Sequence, residues 1–253
     1  MAPTIHLVRH AQGFHNLTPD NYSMHDPLLT PLGREQCLAL QRAFPVPLST
    51  LAAVVASPIK RTIYTALLTF APTIAAKNLR VVALPELQET SAMPCDTGSP
   101  RAELEREFAG QPVDLGLVGE GWDSKTGKWA DEAGAIGARA AEARRWLAEL
   151  VKEMQGEGHV AVVTHGSFLH YLTRDWEGFD GLAGTGWRNT EVRSFGLREE
   201  EGGEVGLVET EESRARRSEI GGPSSGGEQA TGPAVEEEKA NKVLGAEEVS
   251  VRA

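Results

Sequence analysis

The sequence predicts an α/β fold, a doubly wound and mostly parallel sheet with helices on both faces, followed by a disordered C-terminal tail. Three observations predict it. Short β-branched and apolar runs recur at 4–8, 51–56, 79–84 and 160–164, each near-continuously apolar, as strands buried on both faces should be. Helical patterns lie between these runs, and strand and helix in alternation imply right-handed crossovers that cover both sides of a sheet. A chain of 253 residues, 40% of them apolar, is long enough to bury one sizeable core.

The first strand, 4–8, runs into Arg9 and His10. A helix follows over 31–44, with Thr30 as its N-cap and Pro31 in its first turn. The strand 51–56 leads into a helix over 59–70, and the strand 79–84 follows. Residues 91–131 form a long excursion rich in Gly, Pro and charge, and its place after a strand's carboxyl end suggests a lid or specificity loop. An Ala- and Arg-rich helix occupies 134–154, the strand 160–164 follows, and 167–173 can start another helix. The stretches 191–197 and 204–209 alternate as an antiparallel hairpin around Glu-Gly-Gly, closing one sheet edge. From 211 the composition turns to Glu, Gly, Ser and Pro with too little apolar surface to offset chain entropy. One folded domain over 1–210 and a disordered acidic tail over 211–253 are therefore expected.

A formal net charge of −11 argues against non-specific attraction to nucleic acid or to an anionic membrane. No basic leader and no apolar run of bilayer-spanning length is present, so a soluble, cytoplasmic protein is expected. Cys37 and Cys95 stand far apart without C-x-x-C spacing, which gives neither a disulfide framework nor a zinc-finger set. His6, His10, His15 and His25 have no carboxylate or cysteine at ligand spacing, and no metal or other cofactor is expected.

Ligands of open α/β sheets bind beyond the carboxyl ends of the strands. There the sequence places Arg9 and His10, then Ser57 to Arg61, then Glu86 and Glu89, then His165 and Gly166. Two histidines, two arginines and a carboxylate on one rim suit phosphoryl transfer through a histidine. Arg9 and Arg61 would pair with the non-bridging oxygens, and a neutral His10, its other ring N–H tied to a backbone carbonyl, would attack phosphorus. His165 would donate to the developing charge, and Glu89 would protonate the leaving oxygen and later activate water. Glu86 and Asp96 remain alternatives for that acid. His6 reads as a core or edge histidine, and Tyr22 and His25 as loop residues.

These residues lie in ordered motifs. Leu7-Val8-Arg9-His10-Ala11-Gln12-Gly13-Phe14-His15-Asn16 and Asp26-Pro27-Leu28-Leu29-Thr30-Pro31-Leu32-Gly33-Arg34-Glu35-Gln36 resemble the Arg-His-Gly and D-x-x-L-T-x-x-G-x-x-Q signatures of the histidine phosphatase (phosphoglycerate mutase-like) superfamily, branch 1. Ser57 to Ala66 is similar to its second arginine block, Leu87-Gln88-Glu89 to its acid block and Val163-Thr164-His165-Gly166 to its second histidine. The resemblance covers roughly 4–197. It implies that His10 is the phosphorylated nucleophile, that Arg9, Arg61 and His165 surround the transferred group, that Asn16 is a further phosphate contact and that Glu89 is the proton donor.

Three departures stand out. Ala11 replaces the usual glycine, so its backbone must avoid positive φ or accept strain. Gly13 lies where family members often offer a hydroxyl to phosphate, so one donor is expected to be missing. Thr90-Ser91-Ala92-Met93-Pro94-Cys95 does not resemble the segment that follows the acid in cofactor-dependent mutases. The stretch 94–99 looks most like uncharacterised fungal members. The expected activity is metal-independent hydrolysis of a small-molecule phosphomonoester, with a phosphomutase or a regulatory phospho-ligand binder as alternatives. Residues 21–25 and 91–131 would select the substrate, with Trp122 and Trp129 read as loop anchors.

Overall fold

The computed structural model describes residues 3–179 and 185–219. In chain order its elements are β1 (Ile5–Arg9), α1 (Pro31–Ala43), β2 (Leu51–Ala56), α2 (Lys60–Thr69), α3 (Ala71–Lys77), β3 (Val81–Ala83), α4 (Arg101–Glu107), β4 (Val113–Asp114), α5 (Ala133–Glu153), β5 (His159–Thr164), α6 (Gly166–Thr173), β6 (Val192–Glu199), β7 (Val205–Glu209) and α7 (Glu211–Glu219). The seven strands form one sheet in the order β4-β3-β2-β5-β1-β6-β7. From β4 to β1 all neighbours are parallel, while β6 and β7 add the expected antiparallel hairpin beside β1.

Successive strand residues point to opposite faces, and here both faces are covered. Val8, Val54, Ala56, Ala161 and Val163 face one core with Ile59, Ile63, Phe70 and Trp122. Leu7, Val55, Val160 and Val162 face the other, under Ile136, Ala140, Ala143 and Leu147 of α5 and Phe168, Leu169 and Leu172 of α6. This double burial is why the strands read as continuous apolar runs. Among the described residues, no helix is long and apolar enough to cross a membrane.

Three expectations change. β3 is shorter than 79–84 because the preceding residues close α3: Asn78 takes the left-handed conformation and the Leu79 N–H bonds the Ile74 carbonyl at 3.0 Å. The excursion 91–131 is not one long loop, since it carries α4 and a short β4 that extends the sheet beyond β3. The start of the expected tail is also ordered, for Glu211–Glu219 form α7. Ser213 docks that helix, accepting the Ser194 N–H at 3.0 Å and donating to Glu209 at 2.6 Å. The remaining tail residues, 220–253, lie outside the described residues.

One glycine fixes the loop after β1. Thr30 caps α1 by accepting the Gly33 N–H at 2.9 Å, and its own N–H bonds the Gln12 carbonyl at 3.0 Å. A Cβ on Gly33 would stand 2.1 Å from that carbonyl oxygen. Gly33→Ala should therefore destabilise the protein by about 1–3 kcal/mol through forced displacement of the loop. Gly137, inside α5 with open space around it, gives the opposite expectation: Gly137→Ala should stabilise by about 0.5–1 kcal/mol. Urea unfolding of the two variants checks both signs, and equal midpoints would refute the close-approach argument.

Candidate active site

The strand order supplies what the linear sequence leaves open. β2, β5 and β1 are adjacent, with Ala56 opposite Val163 and Arg9 opposite Thr164. His10, Ser57 and His165 therefore leave neighbouring strands on one edge, and the His10 and His165 ring centroids are 5.3 Å apart. α2 begins at Lys60, which sets Arg61 in its first turn, and a short turn over Pro85–Leu87 after β3 delivers Glu89. His10, Arg61, Glu89 and His165 are all buried.

Arg61 is the centre of this group. Its Nε–H points at His10 Nε2 at 3.2 Å, and its NH2 group donates to His165 Nδ1 at 3.0 Å and to Asp96 at 3.0 Å. Its other terminal nitrogen donates to the Cys95 carbonyl. Because a guanidinium only donates, both imidazole nitrogens facing it must be unprotonated. The opposite nitrogens agree. His10 Nδ1–H donates to the Ala11 carbonyl at 2.7 Å, and His165 Nε2–H is left to donate to Ser57 Oγ at 2.9 Å. Burial, and then the Arg61 charge, push both histidines well below the usual imidazole range. His10 is thus a neutral Nδ1–H tautomer whose Nε2 lone pair faces the site.

Glu89 sits across the N-terminus of α6, the helix for which His165 is the N-cap. Its carboxyl oxygens accept the Phe168 N–H at 3.0 Å, the Ser167 N–H at 3.3 Å and the Thr90 N–H at 2.8 Å. These bonds favour ionisation, yet burial, reinforced by the nearby Asp96 charge, wins and raises the Glu89 pKa. The alternative acids are otherwise engaged: Asp96 binds Arg61 and accepts from Ser91 Oγ at 2.6 Å, and Glu86 pairs with Lys128 at 2.7 Å.

Other expected residues fall around this group. Arg9 is buried and donates to the Trp187 carbonyl, and Asn16 closes its own turn by accepting the Gly13 N–H at 3.0 Å. Ala11 avoids positive φ, and its buried methyl packs with Leu29 and Cys37. His6 lies in the sheet with Nδ1 2.9 Å from Ser194 Oγ, and His25 donates to the Gly98 carbonyl at 3.1 Å. Trp122 anchors the excursion: it is fully buried, and its indole N–H donates to the Ser99 carbonyl at 3.1 Å.

Sequence reasoning missed three contributors. Arg139 is buried in α5 and donates to the carbonyls of Glu86 at 2.9 Å, Gln88 and Glu89, which fixes the backbone that carries Glu89. Its position on the same face as Ile136 and Ala140 was a visible signal. Lys125 reaches in from the excursion to donate to the Glu89 carbonyl at 3.0 Å, and burial lowers its pKa to about 8. Nothing in its sequence context marked it. His15 is the third, with a buried ring whose centroid lies 5.4 Å from that of His10.

The tautomers are measurable. Long-range proton–nitrogen NMR should find His10 as the Nδ1–H form and His165 as the Nε2–H form, both still neutral at pH 6.5. Arg61→Met removes a charge that lowers both values, so both should then protonate at higher pH. An imidazolium His10 at pH 6.5 in the unaltered protein would refute this assignment.

The model of the histidine phosphatase superfamily (branch 1) matches residues 5–210. A protein of Schizosaccharomyces pombe named as a probable phosphatase is 33% identical over 108 residues, which is 42% of this chain and 50% of that protein. The chain thus matches about half the length of that curated relative. Among solved structures, the ecdysone phosphate phosphatase of Bombix mori in complex with tungstate aligns with a TM-score of 0.53 at 17% identity, over 81% of this chain and 92% of that one. A phosphoglycerate mutase of Bacillus anthracis aligns at 0.52 and 19%, over 83% and 92% respectively. At such identities these two likenesses speak for the fold alone. Since the family match runs without a break from the first strand to the residue after the last, this chain belongs to the histidine phosphatase superfamily, branch 1.

Proposed function

We propose that the protein is a phosphatase that hydrolyses small-molecule phosphomonoesters through a covalent phosphohistidine on His10. The observation that carries this reading is the neutral His10 ring, with Nδ1–H held by the Ala11 carbonyl and the Nε2 lone pair facing the Arg61 guanidinium. A phosphoryl group arriving at Nε2 takes that guanidinium for its own non-bridging oxygens, together with Arg9. The N–P bond then forms as the P–O bond to the leaving group breaks, and the Glu89 carboxyl proton goes to the departing oxygen. In the second step Glu89, now a carboxylate, takes a proton from water as its oxygen bonds phosphorus, and the N–P electron pair returns to His10. His165 holds the Arg61 NH2 group beside the Nε–H that faces His10. Its donor role requires the proton on Nδ1, a tautomer that Ser57 can support by giving its hydroxyl hydrogen to Nε2. The probable phosphatase of Schizosaccharomyces pombe lends support as a relative.

The test is turnover of an aryl phosphate and a panel of alkyl phosphates in the presence of chelator. Wild type should be active with and without chelator, while His10→Ala should lose both turnover and acid-labile phosphate labelling. Glu89→Gln should slow alkyl phosphates by about 10²- to 10⁴-fold. Aryl phosphates should suffer less, because an aryloxide leaves without a proton. Equal effects on both substrates would mean that Glu89 is not the acid.

The pH dependence has a definite sign. Rates on alkyl phosphates should persist above the ordinary carboxyl range and fall as pH rises through the raised Glu89 pKa, where the proton donor is lost. Asp96→Asn removes a charge that raises this pKa and should move the falling limb to lower pH. A limb that stays in place or moves up would overturn the assignment.

A further inference from the structure

The sequence leaves an apparent gap at Gly13, where a hydroxyl donor to phosphate was expected. The structure fills that space from a different position. Gly13 is extended, at φ −98° and ψ 166°, so it is not glycine for the sake of its backbone angles. Its lack of a side chain matters instead, because a Cβ there would lie 2.8 Å from both Cε1 and Nδ1 of His15. Any residue larger than glycine, Ser and Thr included, would have to displace that ring.

The ring thus admitted carries a polar atom with no structural use, its Nδ1. His15 is only 6% exposed, and its Nδ1 is buried without a hydrogen-bond partner. Buried polar groups in native proteins are nearly always paired, so an orphan calls for an explanation. Its surroundings supply one. The ring lies against His10, and the charges that act on it are those of Arg61 and Arg9, the two guanidiniums assigned to the phosphoryl oxygens. Burial keeps it neutral, which leaves one N–H to give and no positive charge to add to the two already present. Among the described residues, His, Cys, Asp and Glu form no group of three placed to hold a metal, so ligation does not account for the ring.

We propose that His15 binds the transferred phosphoryl group, its imidazole N–H donating to a non-bridging oxygen in the place of a residue-13 hydroxyl, and that Gly13 is small in order to admit that ring. The inference rests on the phosphohistidine reading for the identity of the ligand. It makes residues 13 and 15 one unit, in which a hydroxyl at 13 and an imidazole at 15 are mutually exclusive.

That exclusivity provides the test. Two readouts are taken on wild type, His15→Ala, Gly13→Thr and the double variant: aryl phosphate kinetics, and binding of inorganic phosphate by calorimetry. His15→Ala should weaken phosphate binding and raise KM by roughly tenfold, the size of effect expected for one hydrogen bond to a charged group. Gly13→Thr alone should do at least as much harm, since it expels the ring before its hydroxyl can seat. The double variant should bind several-fold better than either single variant, the non-additivity expected of residues in contact. His15→Gln, which keeps a donor, should recover part of the loss and serves where the alanine variant folds poorly.

Wild-type phosphate affinity in His15→Ala, or a double variant no better than Gly13→Thr, would overturn the proposal. The two hypotheses separate cleanly. His15-dependent phosphate binding without turnover sinks the hydrolase and upholds His15, whereas turnover with His15-independent binding does the reverse. A wild-type chain that binds no phosphate sinks both.

Discussion

The buried guanidinium of Arg61 is the constraint around which the site is built. It is 1% exposed, and a cation that deep is tolerable only if its N–H groups are met. Asp96 supplies the countercharge, the Cys95 carbonyl takes another N–H, and the two histidine lone pairs take one each. Burial, and then the same charge, depress the pKa of His10, His15 and His165, so the cation that orients the His10 and His165 rings also helps keep all three imidazoles unprotonated. An imidazole held in this way presents a free lone pair with no separate base needed to remove a proton.

The scaffold beneath that cation is rigid for reasons of packing. Two apolar cores hold the sheet from both sides, and the strands that end at His10, Ser57 and His165 are adjacent. Glu89 is fixed from two directions, by the N-terminal N–H groups of α6 at its carboxyl and by Arg139 at its backbone. The helix that His165 caps is thus also the helix that receives the Glu89 side chain, which ties the second histidine to that carboxyl across 76 residues of chain.

Asp26 joins the outer parts to this frame. It is buried, and it accepts the Lys60 N–H at 2.9 Å at the start of α2, and the N–H and hydroxyl of Ser99 in the excursion at 2.9 Å and 2.7 Å. The loop after β1, the helix that carries Arg61 and the covering segment therefore meet at one carboxyl. Trp122 holds the same segment, its ring so close to Gly98 that a Cβ there would stand 2.2 Å away. The excursion is accordingly a fixed wall near the site, through which Lys125 reaches the Glu89 backbone.

Much of this was legible in the residues themselves. Continuous apolar runs announce strands buried on both faces, and period and capping announce α1, α2, α5 and α6, because these are local consequences of side-chain geometry. Arg9, His10, Arg61, Glu89 and His165 stood out because strand ends in such a sheet share one edge. What local pattern does not encode is distance between chain segments. The order β2-β5-β1 decides that two histidines 155 residues apart come within 5.3 Å of one another, and the guanidinium between them decides their tautomers. The α3 and α4 helices, the β4 strand and the docking of α7 escaped because each is short and held by contacts with distant parts of the chain. Gly13 was read as a missing donor for the same reason: composition records an absent side chain, and only the tertiary structure shows which other side chain occupies the space.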